Sequence, residues 1–123
     1  MQQIKTDKAP GAIGPYSQAI KAGGFLFTSG QIPRDPETGA IPEGAAAQAR
    51  QALTNVTNLI KASSADVSKT VKTVVFIKNM DDFAEINKVY AEFFTEPYPA
   101  RSCVEVARLP KDVLIEVEAV VEL

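Results

Sequence analysis

The chain has 123 residues and not one histidine. That absence excludes Ser-His-Asp and Cys-His nucleophilic catalysis, histidine-ligated zinc and the HExxH motif. A single cysteine, Cys103, excludes CxxC sites and any internal disulfide. It fits a reducing compartment, so a cytoplasmic location is expected. There is no GxxxxGK[ST] phosphate loop and no GxGxxG. No apolar run approaches the ~20 residues needed to span a bilayer. The first eight residues, Met1 to Lys8, contain no apolar h-region, so neither a membrane partner nor a secretory signal is expected. Charge of one sign is not in excess either. Thirteen Lys and Arg stand against fifteen Asp and Glu, a net charge of −2, with a pI near 5.1. That balance gives no reason to expect a nucleic-acid partner. The tools left for chemistry are carboxylates, Arg, Lys, Tyr, Ser and one Cys. If the chain is an enzyme, water activated by a carboxylate is a natural nucleophile, and no metal or cofactor is expected.

What is present describes one domain over residues 1–123. Hydrophobic residues make up 46% and charged residues 23%, as in an ordinary globular protein. Residues 2–6 read as a short edge strand, and Pro10-Gly11 and Gly14-Pro15 mark a loop. Ser17 to Lys21 and Phe25 to Ser29 read as two strands joined by a tight hairpin at Ala22-Gly23-Gly24. Pro33, Pro36, Gly39 and Pro42 make Gln31 to Gly44 a long surface loop. A first helix is predicted from near Ala45 to about Ala62. Ala49, Leu53, Val56, Leu59 and Ile60 form its apolar stripe, with Gln48, Arg50, Gln51, Asn55, Asn58 and Lys61 on the wet side. It ends at Ser63-Ser64-Ala65-Asp66 with no glycine.

Thr70 to Lys78 reads as a strand with Val71, Thr73, Val75 and Ile77 on one face and Val74 and Phe76 on the other. Apolar residues on both faces predict a place inside the sheet. Asp81 is the expected N-cap of a second helix. That helix buries Phe83, Ile86, Tyr90, Phe93 and Phe94, and the spacing puts Asn87 on the same apolar face. A buried asparagine needs hydrogen-bond partners, so Asn87 is structural or functional on this reading.

In Pro99-Ala100-Arg101-Ser102-Cys103-Val104-Glu105-Val106, strand alternation puts Arg101, Cys103 and Glu105 on one face and Ser102, Val104 and Val106 on the other. Arginine offers a rigid fork that matches a carboxylate, so Arg101 is a candidate anchor for a small acid. The alternative is a surface arginine beside a cysteine that serves as a small core residue. The last strand spans roughly Val113 to Glu122. Val113, Ile115, Val117, Ala119 and Val121 form one face, and Leu114, Glu116, Glu118, Val120 and Glu122 the other. The linker 107–112 is too short for a parallel crossover, so this strand runs antiparallel to 101–106. The count is α+β, five or six strands with two helices on one sheet face. The other face stays apolar with nothing in the chain to cover it, which points to packing against another subunit.

Four segments together carry a resemblance: Ala12 to Ala19, Thr28-Ser29-Gly30-Gln31-Ile32-Pro33, Pro99 to Val106, and Leu109 to Ala119. In order and spacing they resemble the RidA/YjgF family, and closely its archetypal group of enamine/imine deaminases. The likeness covers essentially the whole chain. The departures are a short connection at Glu96-Pro97-Tyr98 and Ser63-Ser64 where a glycine is common. The resemblance implies a chorismate-mutase-like mixed sheet, a homotrimer joined through the sheets, and active sites in clefts between subunits. It implies that Arg101 anchors the substrate carboxylate and Glu116 handles the attacking water. It implies that Tyr16, Ser29, Gly30, Asn87 and Cys103 line the pocket. The implied reaction is hydrolysis of 2-aminoacrylate, 2-aminocrotonate and their imine tautomers to 2-oxo acids and ammonia.

Strand periodicity does not choose between Glu116 and Glu118; only the motif match favours Glu116. Cys103 is read as pocket lining, since no histidine activates it, although Arg101 beside it would lower its pKa. The rival readings are a regulatory module that binds a 2-oxo acid or amino acid without turnover, an endoribonuclease, and a chaperone. The acidic pI and the lack of basic runs interleaved with aromatics count against RNA.

Overall fold

A computed structural model describes residues 1–123. It contains one mixed six-stranded sheet and two α-helices. The strands are β1 (Gln2–Ile4), β2 (Ala19–Ala22), β3 (Phe25–Thr28), β4 (Thr70–Ile77), β5 (Ala100–Glu105) and β6 (Ile115–Glu122). The helices are α1 (Ala45–Ala62) and α2 (Phe83–Tyr90). The sheet order is β1-β2-β3-β6-β4-β5. All pairs are antiparallel except β4 with β5.

β6 is the spine of the sheet. Its alternation puts Ile115, Val117, Ala119 and Val121 on the helix side, all buried, against Ala49, Leu53, Val56 and Ile60 of α1. Full burial of each such aliphatic side chain is worth roughly 1.5–3 kcal/mol. The β2–β3 hairpin turns through Gly23 and Gly24 at φ 60° and 82°, the left-handed values that a two-residue hairpin requires. The last strand does run antiparallel to β5, but β4 lies between them, so the two are not neighbours.

Several expectations are corrected. Val71 is exposed, because a register shift between Thr70 and Lys72 turns it out of the alternation that holds Thr73, Val75 and Ile77 inside. Asp81 is not the cap. Asn79 accepts from Asp81 N at 3.0 Å at the head of a 3₁₀ turn, Met80–Asp82, and α2 follows at Phe83. Gln48 and Asn55 are not on the wet side of α1. Asn55 is 0% exposed and donates to the carbonyls of Ile32 and Arg34 at 3.0 and 2.9 Å. Gln48 accepts from Leu114 N at 2.7 Å and donates to Pro42 O at 3.0 Å. These two amides tie the long 31–44 loop and the start of β6 to the helix. A helix without a C-terminal glycine still closes in the glycine manner. Ser64 takes φ 58°, Ala65 N donates to Ile60 O and Ser64 N to Lys61 O.

Both helices cover one face of the sheet. On the other, Phe25, Phe27 and Val104 are exposed, beside half-buried Val74, Phe76 and Val120. No helix is long and apolar enough to cross a membrane.

Candidate functional site

β5 is an edge strand entered through Pro99 and paired only to β4. Arg101 stands in register with Thr73, on the helix side of the sheet. There α2 supplies a mount. The Arg101 guanidinium carbon lies 4.7 Å from the Tyr90 ring centroid and 5.5 Å from that of Phe83. Arg101 Nη1 donates to Asn87 Oδ1 at 2.8 Å. Tyr90 is held in turn by a 2.8 Å hydrogen bond between its hydroxyl and that of Thr73. The rest of the guanidinium has no partner in the chain, so its remaining donors face outward. Asn87 is exposed, which corrects the expectation from its spacing that it is buried. The buried line of α2 runs through Ile86, Val89 and Tyr90, and Asn87 sits to one side of it, reaching past the sheet edge to Arg101.

Cys103, two residues on, is half-buried against the core in register with Val75. Burial pushes its thiol above the ordinary value, and the nearby positive charge of Arg101 offsets this only in part. The expected lowering by Arg101 is thus outweighed by desolvation, and the thiol is not a primed nucleophile.

Glu116 lies on the opposite face of the sheet, in register with Phe76. An isolated bridge between Gln31 and Val117 draws the Ser29-Gly30-Gln31 segment alongside it. Gly30 passes directly under the carboxyl, and a Cβ there would collide with Glu116 Oε1. Ser29 is fixed from both ends, since Oγ donates to Ser17 O at 2.6 Å and N to Gln18 O at 2.9 Å. Gln31 Nε2 donates to Ser29 O at 3.2 Å, while its side-chain oxygen has no partner in the chain. Tyr16 is half exposed at the rim. Burial raises the Glu116 carboxyl above the usual glutamate value, and the like charge of Glu118 raises it further. Such a carboxylate is a better proton acceptor than an exposed one.

The structure therefore gathers the expected residues into two groups. Tyr16, Ser29, Gly30 and Glu116 line one cavity of about 430 Å³. Arg101 and Asn87 line another, with Tyr98 and Pro99. Cys103 lines neither. Within one chain the anchor and the base lie on opposite faces of the sheet. Four contributors were not singled out from the sequence: Tyr90 and Phe83 under Arg101, and Gln31 and Arg34 in the Glu116 cavity. Gln31 falls inside a quoted motif, and the Phe83–Tyr90 spacing was read only as core.

Comparison with known proteins gives a family and close relatives. The family model described as Endoribonuclease L-PSP matches residues 6–123. A "2-iminobutanoate/2-iminopropanoate deaminase" of Salmonella typhimurium is 56% identical over 95% of this chain and 94% of that protein. The Escherichia coli K12 protein of the same name is 55% identical over the same shares. Among solved structures, E. coli TdcF with bound serine superposes with a TM-score of 0.96 at 48% identity, covering 100% of this chain and 99% of that one.

Proposed function

The chain belongs to the RidA/YjgF family, whose model is described as Endoribonuclease L-PSP, and we propose that it is a 2-iminobutanoate/2-iminopropanoate deaminase acting in the cytoplasm. It hydrolyses 2-enamine and 2-imine acids to 2-oxo acids and ammonia. The observation that carries this reading is the mounted arginine. Two aromatic faces and Asn87 fix Arg101, and its unused donors point outward, as an anchor for a planar carboxylate requires.

Arg101 grips the substrate carboxylate and holds C2 in place. Glu116, ionised, takes a proton from water as the water oxygen bonds to C2 of the N-protonated imine, giving a neutral carbinolamine. Glu116 then gives that proton to nitrogen, and as the C–N bond breaks and ammonia leaves, the carboxylate takes up the carbinolamine hydroxyl proton, leaving the 2-oxo acid and passing the proton to solvent. The imine carbon is already electrophilic, so neither histidine nor a covalent nucleophile is needed. Tyr16, Ser29 and Gly30 line the Glu116 side and Asn87 the Arg101 side, with Cys103 behind Arg101 on the same strand.

Arg101 and Glu116 face opposite ways in one chain, which supports a site completed by a second copy. The uncovered apolar face with Phe25, Phe27 and Val104 supports the same assembly, a homotrimer closed through its sheets. The small-acid reading also draws on the serine bound to E. coli TdcF. A slight excess of acidic residues counts against the RNA cleavage in the family model's name.

The test generates 2-aminocrotonate from threonine with a dehydratase in the presence of semicarbazide. The protein is expected to divert imine from the trap to free 2-oxobutanoate, and Arg101→Ala is expected not to. An unchanged partition with the wild type would overturn the hydrolase reading.

A further inference from the structure

The Glu116 cavity contains more charge than hydrolysis of a four-carbon imine uses. Arg34 and Lys111 both line it, with Glu116 as its only carboxylate. The chain's ion pairs, Arg50–Glu92 and Arg108–Asp112, leave both cations without an acidic partner. Arg34 is the more firmly held of the two, and Lys111 is exposed. Arg34 is half-buried, and its backbone carbonyl accepts from the wholly buried Asn55 of α1. Its guanidinium lies across Gly39, with Nη2 3.2 Å from where a Cβ would stand. The neighbouring Asp35 is engaged elsewhere: its Oδ1 accepts from Glu37 N at 2.8 Å.

Lys111 sits at φ 56° in the Pro110–Asp112 turn, whose Asp112 is taken by Arg108. At about 430 Å³ the cavity falls in the roughly 300–1,000 Å³ range of pockets for much larger ligands than a four-carbon acid.

We propose that Arg34 and Lys111 form a second anion subsite, so that this cavity admits 2-imino acids whose side chain ends in a carboxylate. The inference rests on the deaminase reading above and names a substrate class for the same site. The reaction stays balanced and redox-neutral: water adds to C2, the C–N bond breaks, and the products are a 2-oxo dicarboxylate and ammonia. Arg101 holds the 1-carboxylate while Arg34, aided by Lys111, takes the distal one. One charge-assisted contact of this kind is worth on the order of tenfold in affinity.

The test uses 2-iminoglutarate, made from glutamate by a flavin amino-acid oxidase with catalase, and 2-iminobutanoate made from 2-aminobutyrate in the same way. Both are competed against semicarbazide. The full-length protein is expected to accelerate loss of both imines. Arg34→Gln is expected to lower the ratio of kcat/KM for 2-iminoglutarate to that for 2-iminobutanoate by about tenfold. Lys111→Asn, which keeps a residue tolerant of positive φ, is expected to lower it less. Turnover of 2-iminobutanoate alone would overturn the subsite and leave the deaminase reading standing, as would an unchanged ratio in Arg34→Gln. Turnover of neither imine by the wild type would overturn both. Since the readout is a ratio, a variant that folds poorly loses both rates together and does not imitate the expected result.

Discussion

The Arg101 guanidinium lies 4.7 Å from the ring of Tyr90, whose hydroxyl is tied to Thr73. Cation–π contact is worth about 0.5 to 1 kcal/mol at an exposed residue such as Arg101 and about 2 kcal/mol once a bound substrate excludes water. Tyr90→Leu is therefore expected to raise KM for a 2-imino acid about tenfold with a smaller change in kcat. Tyr90→Phe, which keeps the ring, is expected to restore most of the loss. Steady-state kinetics of the two variants, with a denaturant melt to confirm folding, check this.

Glu116 and Glu118 share a strand face but not a role. Glu116→Ala is expected to lose on the order of 10²–10⁴ in kcat, the usual worth of a general base, while Glu118→Ala keeps most activity. The reverse result would reassign the base.

The base must be ionised to act, and both burial and Glu118 raise its pKa. Activity is thus expected to fall on acidification at a higher pH than an ordinary glutamate would give. Glu118→Gln removes the like charge, lowers the Glu116 pKa, and should move the acid limb of the kcat profile to lower pH. A limb that stays put would show that the like charge is not felt.

Gly30→Ala drives a methyl group into the Glu116 carboxyl. The backbone at Gly30 is outside the left-handed region, and the obstacle is the end of a flexible side chain. The protein is expected to fold with near-native stability and to lose at least about a hundredfold in kcat. Cys103→Ala, in contrast, should stay active. Its thiol is expected to react slowly with alkylating agents at neutral pH, because burial raises its pKa.

Ser64 is a non-glycine residue at φ 58° in the turn that ends α1. Ser64→Gly is expected to stabilise the fold by roughly 0.5–1 kcal/mol, read from chemical denaturation, because the left-handed conformation is costly for a residue with a Cβ.

Local pattern was enough to read β6, α1 and the hairpin, since each repeats at the period of its own geometry. Val71 escaped because a bulge breaks that period where no residue type announces it. Asn55 and Gln48 escaped because their partners, the carbonyls of Ile32, Arg34 and Pro42 and the N–H of Leu114, are distant in sequence. Asn87 was noticed for the wrong reason: a helical wheel fixes its angle but not the sheet edge it overlooks. The family resemblance made the candidate residues legible as expectations, though Cys103 lines neither cavity. Their division between two faces of the sheet was not legible, since it depends on β4 being inserted between β5 and β6.

That division has a genetic meaning. In an assembly whose clefts join one chain's Glu116 to the next chain's Arg101, a null allele at either residue spoils only its own half of each cleft. Two such alleles expressed in one cell, Arg101→Ala and Glu116→Ala, would complement each other. With equal expression and random mixing, roughly one cleft in four draws an intact half from each parent. Neither allele, alone in its cell, would make any intact cleft.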